Sequence, residues 1–203
     1  MTPIIKKLIE ANIEHIENNE FKLVYDRAMS LNMKLNVGEL TDIFYDVGID
    51  PLANMSELPS LFLDESKITA LVVPKHITKI NRAGCAFSHL EHVELHKDCE
   101  LSEETFMNSN LKSIIIPYIM NEVPDECFVN CTELTDVDLN AIEQIGSEAF
   151  ENCTSLKTLF IPDDINYIAD NAFRDCPVTL LFHNNNDYAI EYCQRTGMEY
   201  KFV

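Results

Sequence analysis

Basic residues are scarce in this chain. Lys and Arg number 15 against 34 Asp and Glu, for a formal net charge of −19. Residues 1–60 hold 5 basic and 10 acidic residues (net −5), and residues 61–203 hold 10 and 24 (net −14). A field of that sign repels phosphate backbones and anionic lipid, which disfavours direct nucleic-acid or membrane-surface binding. Glycine is sparse too, at five residues. No glycine-rich phosphate loop, no G-x-S-x-G elbow and no His-Glu-x-x-His pair occurs. The expectation is a protein that is not an enzyme and holds no cofactor or metal. No apolar run reaches the roughly 18 residues of a membrane-spanning helix. The opening "MTPIIKKLIEANIEHIENNE" spaces its apolar residues for a helix face and lacks a small-residue cleavage site, so a cytoplasmic location is expected. Seven cysteines, an odd number without an export signal, argue for reduced thiols rather than a disulfide framework.

What the chain does contain is a repeat. "INRAGCAFSHLEHVELH" (80–96), "LSEETFMNSNLKSIIIP" (101–117), "VPDECFVNCTELTDVDLN" (123–140), "IGSEAFENCTSLKTLFIP" (145–162) and "IADNAFRDCPVTLLF" (168–182) carry the same order of slots. An aromatic slot reads Cys85, Phe106, Phe128, Phe150, Phe173, at intervals of 21, 22, 22 and 23. Three strand slots follow: Ile68, Leu90, Leu111, Leu134, Leu156; then Leu71, Val93, Ile114, Val137, Leu159; then Val73, Leu95, Ile116, Leu139, Ile161. A closing slot reads Pro74, His96, Pro117, Asn140, Pro162. One copy cannot bury its apolar residues alone, whereas stacked copies form a parallel ladder over a continuous core. In "VTLLF" the register is open: either Leu180 and Phe182 or Leu181 points inward.

The Leu-x-x-Leu-x-Leu order and the F-x-x-C element, with Ala149 or Ala172 before the Phe, resemble the BspA-like leucine-rich repeat family. The resemblance covers residues 64–203. It implies an α/β chain: a leucine-rich repeat solenoid with a parallel β ladder of about five to six repeats of ~22 residues, preceded by a small α-helical unit. The expected division is a helical N-terminal cap over 1–60, repeats over 61–182 and a C-terminal cap over 183–203. That last segment reads as a short helix with Tyr188, Ala189 and Tyr192 inward, a stop at Gly197 and a final strand.

In the first sixty residues Ile4, Ile5, Leu8, Ile9, Ile13 and Ile16 share one helix face. Phe21, Val24, Tyr25, Ala28 and Met29 suggest a second helix. "NVGELTDIFYDVGIDP" suggests a third, with Asn36 as cap, Gly48 as stop and Pro51 beyond. Such a leader, with its "GIDPL" turn, resembles those of bacteriophage repeat proteins. A DNA-reading role is disfavoured by its acidity.

Two sets of residues invite chemistry. Cys131, Cys153 and Cys176 occupy one slot in consecutive repeats, which predicts a ladder of buried, inert thiols rather than a nucleophile. Cys85, His89, His92, His96 and Cys99 fall within fifteen residues, a density that suits zinc. The repeat register instead sends them to different walls of the coil.

Function is therefore expected on the strand face, where alternate residues point outward. One outward column reads Ala70, His92, Ser113, Asp136, Thr158. The other reads Val72, Glu94, Ile115, Asp138, Phe160. Val72, Ile115 and Phe160 are apolar where the repeat does not demand it, beside Glu94, Asp136 and Asp138. Val72, His92, Glu94, Ser113, Ile115, Asp136, Asp138, Thr158 and Phe160 are the candidate contact residues for a protein partner with a basic surface. If the leader marks a phage protein, the partner is a host defence or takeover factor. The alternative is a nucleic-acid mimic built on Asp163, Asp164, Asp170 and Asp175. Self-association through the helices or an uncovered edge is a third outcome.

Overall fold

The computed structural model describes Val24, residues 37–46, Gly48, and residues 50–183 and 186–203. The two helices expected before residue 36 lie outside the described residues, except Val24, which is buried. The third helix is observed as α1 (Val37–Asp46). Asn36 lies outside the described residues. Gly48 follows at φ 78° and donates its N–H to the Tyr45 carbonyl at 2.9 Å. Asp50 then caps a short 3-10 turn over Pro51–Asn54, accepting from the Leu52 N–H at 2.9 Å.

From there the chain winds as a parallel solenoid. Each coil carries a long strand: β2 (Ala70–Val72), β4 (His92–Glu94), β6 (Ser113–Ile115), β8 (Asp136–Asp138), β10 (Thr158–Phe160) and β12 (Thr179–Phe182). A short strand lies on a second wall: β1 (Glu57–Leu58), β3 (Lys79–Ile80), β5 (Glu100–Leu101), β7 (Glu122–Val123), β9 (Gln144–Ile145) and β11 (Tyr167–Ile168). Among the described residues the strand pairings are parallel, with Leu71 opposite Val93, Ile114 opposite Val137 and Leu159 opposite Leu180. The solenoid has about seven turns, the first rung being β1 and the last β13 (Tyr200–Phe202), which pairs with β12. The alternation of the sequence is the reason for the ladder: outward polar and inward apolar residues sit on opposite faces of each strand. Leu180 and Phe182 are the inward residues of β12, and Leu181 faces out opposite Phe160.

The third wall is made of turns. Phe106, Phe128, Phe150 and Phe173 stack inside it with centroids 5.6, 5.2 and 5.5 Å apart and nearly parallel rings. Such pairs add about 0.5–1.5 kcal/mol each beyond their buried area. Cys85 continues the slot and is fully buried. The turns need left-handed backbone, and the chain supplies it almost without glycine. Ala83, Glu104, Glu126 and Glu148 hold one such slot; Phe87, Asn108, Asn130 and Asn152 hold the other. Left-handed geometry costs a side-chain-bearing residue about 1–2 kcal/mol. Here it aims every second amide at the next coil: Glu104, Phe106 and Asn108 donate to the carbonyls of Asp125, Cys127 and Val129 at 3.1, 2.9 and 2.8 Å. The second slot also forms a side-chain ladder, Asn152 donating to Asn130 at 2.7 Å and Asn130 to Asn108 at 3.1 Å.

Both ends of the core are covered. α1 buries Leu40 and Phe44 near Phe62 and Leu63. Its Thr41 hydroxyl donates to the Phe62 carbonyl at 2.8 Å, and its Asp42 accepts from the Ser66 hydroxyl at 2.6 Å. Gly38 permits this approach, because a Cβ there would lie 2.2 Å from the Asp64 oxygen. At the other end α2 (Asp187–Thr196) buries Ala189, Tyr192 and Cys193. Tyr188 is half-buried, and its hydroxyl accepts the Ile168 N–H at 2.7 Å. Asn186 caps the helix start, and Gly197 ends it at φ 78°.

Candidate functional site: the strand face

The long strands place every candidate contact residue on one exposed wall. His92, Glu94, Ser113, Asp136, Asp138 and Thr158 are exposed. So are Val72, Ile115 and Phe160, with 62%, 64% and 43% of their surface open to water. An isolated exposed apolar side chain is ordinary. These three, however, lie in one column, and the acids are placed among them. In coil order the column reads Val72, Glu94, Ile115, Asp138, Phe160, Leu181: apolar and acidic side chains alternate as far as Phe160, and Leu181 then adds a second apolar one. Val72 stands opposite Glu94, Ile115 opposite Asp138 and Phe160 opposite Leu181.

The electrostatics of the face are one-sided from β2 to β12, and Lys201 of β13, opposite Leu181, stands at its end. None of the outward residues of β2, β4, β6, β8, β10 and β12 is Lys or Arg. Among the described residues Glu94 and Asp136 have no ion pair or side-chain hydrogen bond, and Asp138 accepts only the Asn140 N–H, at 2.9 Å. The ladder lapses between β8 and β10, which belong to separate sheets. There Asp136, Asp138, Asn140, Phe160 and Pro162 line a hollow of about 300 Å³. A second hollow of about 300 Å³ borders Val72 at the other end of the face, against Tyr45 and Asp50 of the N-terminal unit. Phe160 also meets the His183 ring edge-on at 5.4 Å, and His183 Nδ1 lies 2.8 Å from Asp163.

The remaining acids sit elsewhere. Asp163, Asp164, Asp170 and Asp175 are exposed off the strand face, and Asp170 pairs with Arg195. In the turn wall Arg82 pairs with Glu104, and Arg174 pairs with Glu148 at 3.0 Å and with Glu151. Glu126 lies between Glu104 and Glu148; burial, then those two neighbours, push its carboxyl up.

The cysteines are core. All seven are buried and unpaired. Cys131 donates to the Phe106 carbonyl at 3.0 Å, Cys153 to Phe128 at 3.1 Å and Cys176 to the Cys153 carbonyl at 3.3 Å. Burial pushes the Cys131 and Cys176 thiols up to about 11, away from thiolate chemistry. The slot has a second meaning that the cysteines conceal. Ser66, Ser88 and Ser109 occupy it in the earlier coils and are buried. Ser88 donates to the Cys85 carbonyl at 2.7 Å. It is a slot for a small donor, and the Ser-to-Cys succession at constant spacing is the signal for it. The His and Cys residues of 85–99 separate as the register requires. His89 Nδ1 lies 3.0 Å from the Ser66 carbonyl and His96 Nε2 lies 2.7 Å from that of Ile77. His92 is exposed, while Cys85 and Cys99 are buried. Among the described residues no three such side chains are grouped to hold a metal ion.

Likeness to known proteins agrees with this geometry. A leucine-rich cell surface protein of Faecalibacterium prausnitzii A2-165 superposes with a TM-score of 0.58 at 22% identity, over 63% of this chain and 35% of that one. The pneumococcal vaccine antigen PcpA gives 0.58 at 19% identity, over 65% and 37%. A leucine-rich repeat protein of Bacteroides ovatus ATCC 8483 gives 0.54 at 21%, over 71% and 44%. At these identities the likeness is one of fold, and the chain spans less than half the length of each neighbour. A search of curated protein sequences finds no match. The model of the BspA-type leucine-rich repeat region matches residues 56–179 in six copies, so with its register, its Phe stack and its Ser/Cys slot the chain belongs to that family.

Proposed function

We propose that the protein binds a protein partner with a basic, partly apolar surface through the strand face of its solenoid. Leucine-rich repeat proteins commonly mediate protein interactions, and solenoids of this kind are generally non-enzymatic. The observation that carries the reading is the exposure of Val72, Ile115 and Phe160 in one column with Glu94 and Asp138, on a face with no Lys or Arg among the outward residues of β2, β4, β6, β8, β10 and β12. Packing does not require those apolar side chains outside, and burying them against a partner returns roughly 25 cal/mol per Å². No helix among the described residues is long and apolar enough to cross a membrane. The seven buried, unpaired thiols support action in a reducing cytoplasm. The resemblance of the leader to phage repeat proteins supports a host defence or takeover factor as the target.

The test is capture from the native cell with the full chain and with an Ile115→Asp/Phe160→Asp variant, after checking that both melt alike. A partner held by the first and lost by the second is the expected result. A partner retained by both places binding elsewhere. No specific observation favours nucleic-acid mimicry: Asp163 and Asp170 are engaged by His183 and Arg195.

A further inference from the structure

We propose that the occupant of the strand face is a cationic amphipathic α-helix lying along the solenoid axis, apolar every seven residues and bearing Lys or Arg midway between. This rests on the strand-face reading above and names the chemistry of its partner. Adjacent ladder strands lie about 4.8 Å apart, so Val72 and Ile115, two coils apart on the continuous ladder, stand about 9.6 Å apart along the axis, and Phe160 lies two coils further, across the lapse between β8 and β10. Seven residues of α-helix rise about 10.5 Å and return to within about 20° of the same face. Residues three or four further on share that face, about 5 Å along. A helix with apolar side chains at i, i+7 and i+14 therefore meets Val72, Ile115 and Phe160, and its i+3 or i+4 and i+10 or i+11 positions meet Glu94 and Asp138. At ladder spacing throughout, the mismatch would reach about 1.8 Å by Phe160. The hollow beside Phe160 and the length of Lys and Arg side chains absorb that offset.

Other backbones fit worse. An extended strand repeats one face every 6.6 Å or so, and neither that step nor its double matches. A polyproline helix repeats about every 9.3 Å and matches the apolar step. Its two intervening residues, however, turn about 120° away from the contact line, leaving Glu94 and Asp138 unmet. The helix alone offers a side chain at each half-step, which is where this column places its acids. The charge requirement follows from the face itself: the outward residues of β2, β4, β6, β8, β10 and β12 include acids and no Lys or Arg, and Lys201 of β13 lies beyond Phe160, outside the span the helix would cover.

The probes are two synthetic peptides of about 18 residues and equal composition. One carries Leu at seven-residue intervals with Lys at the intervening same-face positions; the other alternates Leu and Lys with the period of a strand. Fluorescence anisotropy against the full chain is expected to show at least tenfold tighter binding of the first, with a gain of helical circular dichroism on mixing. A Glu94→Lys/Asp138→Lys variant should lose at least tenfold, and a peptide with Glu in place of Lys should recover the loss. Equal affinity of the two peptides, no binding of either, or binding without helix gain overturns the proposal. Its failure is separable from that of the strand-face reading: the reading stands if the captured cellular partner is still lost with Ile115 and Phe160, and falls if the partner is retained.

Discussion

The strand face and the turn wall are built from the same repeat and carry the same sign of charge, yet they treat their side chains in opposite ways. On the turn wall, polar groups are tied to the next coil. Asn108, Asn130 and Asn152 bond in series, and Arg82 and Arg174 close the two ends of the Glu104–Glu126–Glu148 row. On the strand face, Glu94 and Asp136 have no such partner among the described residues, and the apolar side chains beside them stay in water. A column whose members satisfy one another serves the fold. A column whose members do not is free to serve a partner. That difference, rather than acidity as such, is the ground for proposing function on the strand face.

The comparison can be broken from either side. The largest effect belongs to the wall: Phe128→Ala removes the middle of a buried stack and should cost about 3–5 kcal/mol in chemical denaturation. On the face, Phe160→Ala should leave stability within about 0.5 kcal/mol. The same variant should weaken partner binding by about 2 kcal/mol or more, read by titration calorimetry with the captured partner. A Phe160 variant that unfolds the protein would erase the distinction. Next is the donor slot. Cys131→Val removes one of the two hydrogen bonds that the Phe106 carbonyl accepts, leaving the one from the Ser109 N–H at 3.1 Å, for a loss of about 0.5–1.5 kcal/mol, whereas Cys131→Ser should lose less because Ser already fills that slot at Ser88 and Ser109. Equal losses for the two would make the slot merely one of size.

The smallest effect is electrostatic. A carboxyl raised in the folded state holds its proton more tightly there than in the unfolded chain, so its charge costs stability once pH climbs through the folded value. Glu126→Gln should therefore raise stability slightly at neutral pH, by no more than about 0.5 kcal/mol at this partly exposed position. The gain should vanish below the ordinary carboxyl range near pH 4.3. Thermal melts of both proteins across pH 3–8 check the sign.

Much of this architecture was legible in the sequence, because the repeat writes each slot several times. Phe106 to Phe173 could be aligned without coordinates, and the alternation within each strand then assigned Val72, Ile115 and Phe160 to the outside. What could not be read has physical causes. Left-handed backbone at Ala83, Phe87 and Glu126 is invisible because these residue types avoid it; the neighbouring coil's carbonyls impose it. Ser66, Ser88 and Ser109 look like loop residues until their burial shows them sharing the cysteine slot. The lapse between β8 and β10 has no counterpart in the spacing of residues, which stays in step through Asp138 and Phe160. The register of "VTLLF" was undecidable by pattern, and the pairing of Leu181 with Phe160 resolves it.

The most direct test of the central claim is site-specific photo-crosslinking in the native cell. A photoreactive residue is placed in turn at Ile115 and Phe160 on the face and at Asn130 on the turn wall. One and the same crosslinked partner is expected from both face positions and none from Asn130. Crosslinks to that partner from Asn130, with none from Ile115 or Phe160, would contradict the claim.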